Sequence, residues 1–491
     1  MPHPIIMLQG PFMPMKAVSP QDCVIEAGWV LTEQDDQQQL LRDASIVVRG
    51  NEIVDIVKGR LRGWEVRVDA SDCVVLPGFI SGHPHTSISS PARGVIEGGR
   101  FMDRPVAMVE QLSDEQLDAL TAYNIAEILK SGCTTFVEMS ASIRHAESFV
   151  RVARAWGVRA YVSIMAPNGP RLFDIWYRDN DQVLFDSIPQ TLREIEDARQ
   201  FGLTLNETGG DLLRGQMGLH AVDTQTPETL KAAQRAAEEL GNGIHIHVAQ
   251  RIREVQACER LWGMRPVAWL ESLGFFSQPV IAAHLYKMDP VLDPAILKRH
   301  NVNYVHCACM ASMLHQASQP FPEALASGLN ISLGIDQLSN DYMENIKLAT
   351  LNGQLRTNLL QETSKVPMQR PRVEDAVRAA TQGGGKMLRR NDLGKLVPGA
   401  KADLCAVDVT KPPHGGVGAL PPEPLHHLLY SNGRNVRHVM TDGRLQVHFG
   451  QLVVADEKRV LAEGGEVSRK IWELLEVEKW FQTAPPPNSR G

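Results

Sequence analysis

The sequence predicts an α/β protein in which a (β/α)8 TIM barrel carries a small β-sandwich domain built from both chain ends. Between residues 77 and 386, short apolar runs typical of buried strands alternate with amphipathic stretches at helical spacing. This length suits eight βα units, since such a barrel typically needs about 250 residues. The flanking segments instead contain strand-like runs separated by turn residues, among them Gly50 and Asn51. One β-domain interrupted by the barrel is the simplest arrangement of those flanks.

The domain boundaries follow from these changes in pattern. The predicted domains are the N-terminal part of the β-sandwich (1–76), the barrel (77–386), the C-terminal part of the β-sandwich (387–455) and a C-terminal helix with a tail (456–491). In the last segment, Ile471, Trp472, Leu475 and Trp480 recur at helical spacing, which predicts a packing helix. The tail after it is rich in proline and is predicted to be disordered.

Composition restricts the classes of function. The 491 residues are 43% hydrophobic and 22% charged, with a formal net charge of −7, as in an ordinary globular protein. This charge offers no basic surface for nucleic acid or an anionic membrane, so we expect a small-molecule substrate. No segment has the pattern of a signal peptide or a membrane span. The odd number of seven cysteines, mostly within apolar runs, favours reduced thiols in a cytoplasmic protein.

Histidines spaced two apart occur in two predicted strands. An apolar run that starts at Pro77 ends in His83 and His85, and a second buried run carries His245 and His247. Because residues two apart point to the same face of a strand, His83 and His85 can present both imidazoles to one ion.

Three further strand-like runs end in His284, His306 and Asp336, at successive sequence steps of 37, 22 and 30 counted from His247. These steps are close to one βα unit, and the carboxyl ends of barrel strands are where such barrels place their active sites. Each histidine taken singly is more often a hydrogen-bonded core residue than a metal ligand, but their repeated placement at strand ends indicates a metal site. Burying Asp336 would be costly unless it is paired or bound to a cation.

The C-x-C motif of Cys307 and Cys309 is a weaker candidate for metal binding. No further cysteine pair completes a tetrahedral set with it.

The order of these motifs resembles that of the metal-dependent amidohydrolase superfamily, within it the cytosine deaminase-like and triazine hydrolase branch, to which phenylurea hydrolases are related. In that branch, barrel strands one, five, six, seven and eight end in P-G-F-x-x-x-H-x-H, H-x-x-E, A-H, H-C-P and G-x-D. The matching segments are 77–85, 247–250, 283–284, 306–308 and 334–336, with further similarity at 131–136, 339–341 and 393–404. The resemblance extends from about residue 22 to residue 452.

The resemblance implies a hydrolase with one divalent metal ion per chain and a homodimer or larger homo-oligomer. Carried over by position, the metal ligands are His83, His85, His247 and Asp336. The catalytic residues are His284, Asp336 and Gln250, and the substrate contacts are His220, His306 and Gln250. The fourth-strand candidate G-Q-M-G-L-H holds no lysine that could bridge two ions, which favours a single ion. Three imidazoles and a carboxylate suit zinc, with iron, cobalt and manganese left open.

Two departures from the family pattern bear on the substrate. Gln250 stands where the deaminases of the branch carry glutamate, and an amide has no titratable proton to give. The segment H-C-A-C-M-A-S at 306–312 replaces a more polar family segment. Both changes favour hydrolysis of a carbon–nitrogen bond in a urea, amide or carbamate that bears an apolar, aryl-type group. The alternative is an aminohydrolase or dechlorinase acting on an N-heterocycle. A third possibility is a metal-free, non-catalytic barrel that acts as an assembly module. Such a protein would have lost its metal ligands, whereas this sequence keeps all of them.

Overall fold

The strands of the protein fall into three sheets. The structure, a computed structural model, describes residues 22–34, 37–64, 66–95, 102–313, 319–411 and 416–476. The strands are β1 (Cys23–Gln34), β2 (Gln37–Arg49), β3 (Glu52–Lys58), β4 (Arg67–Pro77), β5 (Phe79–Ser81), β6 (Cys133–Ser140), β7 (Arg159–Ile164), β8 (Leu213–Gly215), β9 (Met217–Ala221), β10 (Ile244–Val248), β11 (Val280–His284), β12 (Asn303–His306), β13 (Ile331–Leu333), β14 (Leu404–Asp408), β15 (Val436–Thr441), β16 (Arg444–His448) and β17 (Gln451–Leu452).

The helices lie mainly between the strands of the central region. They are α1 (Ser89–Ala92), α2 (Asp103–Val109), α3 (Asp114–Lys130), α4 (Ile143–Trp156), α5 (Arg171–Trp176), α6 (Gln182–Asp186), α7 (Ile188–Thr208), α8 (Pro227–Leu240), α9 (Ile252–Trp262), α10 (Pro266–Ser272), α11 (Asp293–Arg299), α12 (Ala308–Met313), α13 (Phe321–Ser327), α14 (Tyr342–Leu360), α15 (Val373–Arg378), α16 (Gly384–Met387) and α17 (Glu457–Leu474). None of these helices is long and apolar enough to cross a bilayer.

Both chain ends contribute to one separate sheet, in the order β17-β16-β15-β14-β4-β1-β2-β3. Its two halves meet where β4 pairs in antiparallel fashion with β14, placing Pro77 opposite Leu404. On its other edge β4 pairs in parallel with β1. The predicted β-sandwich would have two hydrogen-bonded sheets, whereas the described strands form a single continuous one, because β4 connects both halves. Buried residues of this sheet, such as the cross-strand partners Ile25 and Ile46, form a small hydrophobic core of their own.

The central region contains two parallel sheets, β5-β6-β7-β8 and β13-β12-β11-β10-β9, whose strand order follows the chain. The break between β8 and β9 is a single residue, Gln216, whose N–H donates to the carbonyl of Val162 at 2.9 Å. At the other edges, the N–H of Gly82 donates to the carbonyl of Leu333 at 2.8 Å. The Gly82 hydrogen bond connects the end of β5 with β13, and parallel pairing within each sheet places the carboxyl ends of its strands on one side.

Local sequence explains why the helix between β9 and β10 begins and ends where it does. Thr226 precedes α8 and exchanges hydrogen bonds with Thr229, whose hydroxyl accepts the Thr226 N–H at 2.9 Å. Pro227 occupies the first helical turn, where no N–H is needed. Gly241 ends the helix with φ +75°, a conformation that glycine adopts without steric cost.

A C-terminal helix packs against the segment that follows the first histidine pair. The C-terminal helix predicted in 456–491 begins at Glu457 and ends at Leu474. Its Ser468 hydroxyl donates to Ser90 at 3.0 Å, and Trp472 Nε1 donates to the carbonyl of Pro91 at 3.1 Å. Trp480, the predicted tail and residues 1–21 lie outside the described residues.

One buried arginine connects the barrel region to the sheet of the chain ends. Arg159, at the start of β7, has a side chain with 0% exposure. Its Nε lies 2.8 Å from Asp403, its Nη2 lies 3.1 Å from Asp442, and its Nη1 lies 3.0 Å from Asp211. Three carboxylates therefore surround one guanidinium at this boundary.

Candidate metal centre and substrate pocket

Five predicted site residues lie together at the carboxyl ends of the parallel strands. The residues are His83 and His85 after β5, His247 in β10, His284 at the end of β11 and Asp336 after β13, and their exposure is 0%, 6%, 5%, 0% and 2%. His284 and Asp336 have φ values of +80° and +58°. Non-glycine residues rarely adopt this conformation, and where they do the strain is often stored at functional sites.

The candidate ligand atoms are close enough to share one ion. Within each of the groups His83, His85, Asp336 and His83, His247, His284, the candidate ligand atoms lie within 4.8 Å of one another. His85 Nε2 lies 3.4 Å from His247 Nε2 and 3.6 Å from Asp336 Oδ1. His284 Nε2 lies 3.7 Å from Asp336 Oδ2.

Backbone carbonyls orient two of the imidazoles. His85 Nδ1 lies 2.6 Å from the carbonyl oxygen of Met139, and His247 Nδ1 contacts the carbonyl oxygen of His220. Since a carbonyl only accepts, each Nδ1 carries the proton and each Nε2 keeps its lone pair for a cation.

His83 is oriented by another histidine rather than by a carbonyl. Its Nδ1 lies 2.9 Å from His245 Nε2. The second H-x-H motif therefore brings His247 to the centre and His245 behind it, an orienting role that the sequence pattern did not predict.

Several atoms at the centre lack a hydrogen-bond partner among the described residues. They are His83 Nε2, both ring nitrogens of His284 and Asp336 Oδ2, all buried. An unsatisfied buried polar group costs about 1–3 kcal/mol, and a bound cation would remove that cost. Three or four imidazoles and one carboxylate are a donor set that zinc accepts. The residues therefore fit a divalent metal ion.

The protonation states of the candidate ligands are those needed to bind a divalent metal ion. Burial lowers the pKa of His85 to about 4, and burial together with nearby His85 lowers the pKa of His247 to about 3. Both imidazoles are therefore neutral at pH 7, the form that binds metals. Burial raises the pKa of Asp336 well above its usual value, and a neighbouring cation would favour the carboxylate again.

Two buried glutamates that the sequence pattern did not predict hold the loops after β5 and β10. Glu138 accepts a hydrogen bond from the N–H of Thr86 at 3.2 Å, and burial raises its pKa to about 7. Glu254 accepts from the N–H of Ala249 at 2.6 Å and from that of Gln250 at 2.8 Å. Neither glutamate is recognisable from the sequence, because Glu138 lies inside the apolar strand β6 and Glu254 in the first turn of α9, where acidic residues are common.

A cavity opens beside the metal centre. Its lining comprises His85, His247, Asp336, His220, Gln250, Arg251, Gln337, Met102, Met165, Met310, Ile88, Val106, Ala141, Leu172, Phe173 and Trp176. The rings of His220 and Trp176 meet edge-on, with their centroids 4.7 Å apart. The guanidinium carbon of Arg251 lies 4.1 Å from the centroid of the Trp176 ring. The described cavity therefore has a largely apolar and aromatic wall, with a few polar side chains near the metal centre.

Two predicted substrate contacts line this cavity and one does not. His220 and Gln250 are both in its wall. His306 lies elsewhere, stacked on Phe321 at 4.7 Å with its Nδ1 2.9 Å from the hydroxyl of Tyr304. A substrate contact by His306 therefore finds no support in the described wall, because Tyr304 and Phe321 already surround its ring.

The cysteines of the C-x-C motif do not act as a pair. Cys307 belongs to a described group of candidate ligands with His284 and Asp336, whereas Cys309 belongs to none among the described residues. All seven cysteines are free and buried.

Comparisons with known proteins agree with this arrangement. 5-Methylthioadenosine/S-adenosylhomocysteine deaminase of Desulfitobacterium hafniense is 29% identical over 403 residues, covering 81% of this chain and 86% of the relative. 5'-Deoxyadenosine deaminase of Methanosarcina acetivorans is 26% identical over 459 residues, covering 92% and 98%. The crystal structure of atrazine chlorohydrolase TrzN from Arthrobacter aurescens, complexed with zinc, matches with a TM-score of 0.74 at 19% identity, covering 91% of this chain and 100% of that one.

A family model also matches most of the chain. The model described as "Amidohydrolase family" covers residues 74–445, which include every candidate ligand and the cavity wall. The chain therefore belongs to the amidohydrolase family, whose members depend on metal ions, and it is a hydrolase of carbon–nitrogen bonds.

Proposed function

We propose that this chain is an aminohydrolase, which removes an exocyclic amino group from an N-heterocycle of the adenosine type. This was the alternative that the sequence left open, and the relatives support it better than hydrolysis of an aryl urea. The observation that carries the proposal is the match to named deaminases of adenosine derivatives, which extends over 81% and 92% of this chain.

His83, His85, His247 and Asp336 would hold one divalent metal ion, for which zinc is the proposed identity. When bound, such an ion supplies Lewis acidity and lowers the pKa of water to about 7. The similar structure of atrazine chlorohydrolase TrzN is a complex with zinc, and the neutral imidazoles around the buried carboxylate suit that ion.

The remaining residues of the site have separate tasks in this proposal. His284 Nε2, 3.7 Å from Asp336 Oδ2, orients the attacking water, and Asp336 passes a proton to the departing amine. The rings of Trp176 and His220, which lie in the cavity wall, form an edge against which a flat heterocycle can pack. The amide of Gln250 can both donate and accept a hydrogen bond at the heterocycle.

A second candidate function rests on Gln250 itself. Addition to a heterocycle is helped by an acid that protonates a ring nitrogen, and the amide of Gln250 lacks such a proton. An acyclic urea, amide or carbamate has no ring nitrogen to protonate. Because Gln250 lines the cavity beside Asp336, hydrolysis of an aryl urea, anilide or carbamate is the competing proposal.

Substrate profiling of the purified zinc enzyme separates the two candidates. The panel comprises 5'-deoxyadenosine and methylthioadenosine, amino- and chlorotriazines, and aryl ureas, anilides and carbamates. We expect the largest kcat/KM for an aminated heterocycle. A larger value for an acyclic urea or amide would refute the proposal and support the competing one.

Gln250→Glu provides a second, independent readout of the same question. For a heterocycle it adds a proton donor and should raise kcat by on the order of tenfold or more. For an acyclic substrate it should lower activity, because a second carboxylate near Asp336 raises the pKa of one of them. Gln337→Glu is the matched control, since Gln337 lines the same cavity and is 7% exposed, close to the 6% of Gln250.

We also propose a closed barrel, a cellular compartment and an oligomeric state for this enzyme. The hydrogen bonds at Gly82 and Gln216 support closure of the two parallel sheets into one (β/α)8 barrel. The seven free cysteines support a reducing compartment such as the cytoplasm. A homo-oligomer remains a prediction, and light scattering after size-exclusion chromatography measures it.

A further inference from the structure

Helix α14 is apolar on two opposite faces. Its inner face packs on the core through buried residues that include Ile346, Ala349 and Gly353. A Cβ built on Gly353 would lie only 2.6 Å from Pro371 Cγ, so the inner face is in close contact with its neighbours. Because an α-helix has 3.6 residues per turn, the residues on either side of Gly353 by two positions point away from the core.

Three leucines occupy this outer face. Leu351, Leu355 and Leu359 recur every four residues and are 44%, 55% and 68% exposed, and we call them the leucine stripe. No other helix in the described part of the chain carries three exposed large hydrophobic residues. A surface helix normally has polar residues opposite its apolar face, whereas a helix that is apolar on both faces is buried on both. The stripe therefore has the composition of an interface.

The residues of the outer face repeat symmetrically about Leu355. In two antiparallel copies of α14 related by a two-fold axis at Leu355, residues at equal distances before and after it face each other. Leu351 then faces Leu359, which extends the apolar contact to both ends of the stripe. Asn352 faces Asn358, and their amides can donate to and accept from each other. The stripe is therefore complementary to itself.

The charges at the ends of the stripe also fit a second copy. Lys347 lies eight residues before Leu355, and Glu362 lies seven residues after it. The antiparallel pair brings the ammonium of one copy to the level of the carboxylate of the other, at both ends of the contact. A parallel pair would instead place Lys347 beside Lys347 and Glu362 beside Glu362, where like charges repel.

We propose that the leucine stripe is the interface of a homodimer, in which α14 packs antiparallel on α14 of a second copy. An interface on a two-fold axis uses the same patch of both copies, as this pattern requires. Removing the leucines of both copies from water stabilises the dimer. The inference rests on α14 alone and does not depend on the substrate or on the metal ion.

Sedimentation velocity and light scattering of the full-length protein test the proposal. We expect a mass of twice the 54.3 kDa of one chain. Leu355→Glu places two carboxylates against each other at the axis and should raise the dissociation constant of the dimer by on the order of 100-fold or more. Leu474→Glu is the matched control, since Leu474 is 69% exposed at the end of α17, and this variant should remain a dimer.

Disulfide cross-linking by dissolved oxygen tests the antiparallel register and decides the question even when Leu355→Glu fails to fold. Leu355→Cys should cross-link to itself, and Leu351→Cys chains should cross-link to Leu359→Cys chains, with oxygen accepting two electrons and two protons per disulfide. Leu351→Cys alone should not cross-link, because its two copies lie about 12 Å apart along the helix, beyond the roughly 7 Å that a disulfide spans between Cα atoms. The seven native thiols are buried, and Leu474→Cys is the control for chance collisions.

Three results would overturn the inference. The first is a monomeric wild-type protein at micromolar concentration, as expected if another segment of the same chain or a different protein covers the stripe. The second is a dimer that persists unchanged in Leu355→Glu, which would place the interface on another face. The third is cross-linking of Leu351→Cys to itself in preference to Leu359→Cys, which would contradict the antiparallel packing.

Discussion

The buried guanidinium of Arg159 provides a quantitative test of how the parallel sheets are joined to the sheet of the chain ends. We predict that Arg159→Met strongly destabilises the protein, although methionine fills a similar length of the site. The substitution leaves Asp403 and Asp442, whose side chains are only 3% and 9% exposed, without their cation. Asp211 is 42% exposed and can be solvated instead.

The expected magnitude follows from this burial. Removing one partner of a buried ion pair costs roughly 3–5 kcal/mol, because the remaining charge is left uncompensated. An unfolding entropy of about 2.1 cal/mol/K per residue amounts to roughly 1 kcal/mol/K over 491 residues, so Tm should fall by roughly 3–5 °C.

Differential scanning calorimetry and urea unfolding followed by circular dichroism measure this change. The matched control is Arg390→Met, which also removes an arginine beside Asp211 but whose side chain is 18% exposed and pairs with Asp392 at 2.7 Å. Partly exposed pairs of this kind contribute about 0–1 kcal/mol. A loss of less than about 1 kcal/mol in Arg159→Met, or a loss equal to that of the control, would refute the argument that Arg159 joins the domains.

Three further predictions concern the metal centre and the barrel packing. His247→Ala should lose both metal and activity, whereas His284→Ala should keep the catalytic ion and lose turnover; equal metal loss in elemental analysis would place His284 among the ligands of that ion. Dialysis against a chelator should abolish activity, and one equivalent of zinc per chain should restore it, whereas full activity with two ions would contradict the single-ion assignment. Gly215→Ala should destabilise the protein by about 1–3 kcal/mol, because a Cβ there would lie 2.3 Å from Gly202 Cα in helix α7. An unchanged free energy of unfolding in urea would show that α7 shifts to make room for the added methyl group.

Local pattern was sufficient to predict that five of the candidate site residues, His83, His85, His247, His284 and Asp336, would lie close together. The period of two in the first H-x-H pair places His83 and His85 together, and the sequence steps to His284 and Asp336 match one βα unit each. Because parallel strands end on one side of their sheet, the side chains at successive strand ends lie close together. This can be predicted without knowing how the core packs. The same reasoning fails for His306, which also ends a strand but whose ring turns toward Tyr304 and Phe321.

The substrate class could not be predicted in the same way. The amide of Gln250 has no titratable proton to give to a ring nitrogen, and on that ground the sequence favoured an acyclic substrate. The relatives named as deaminases favour a heterocycle instead. A single side chain in the wall of a cavity does not determine which ring fits, since the wall also includes Arg251 next to it, Trp176 from helix α5 and His220 from β9.

Sequence pattern alone was enough to predict the alternation of strands and helices, the candidate ligands at strand ends and the separate sheet to which both chain ends contribute. Three contacts emerge only from the folded chain: His245 orients His83, Cys307 lies near Asp336, and Arg159 connects the parallel sheets to the sheet of the chain ends. The physical reason is the range of the interactions. Periodicity and capping depend on neighbours within a few residues, whereas these contacts join segments far apart in the chain, whose relative positions follow from strand pairing and the packing of the whole core.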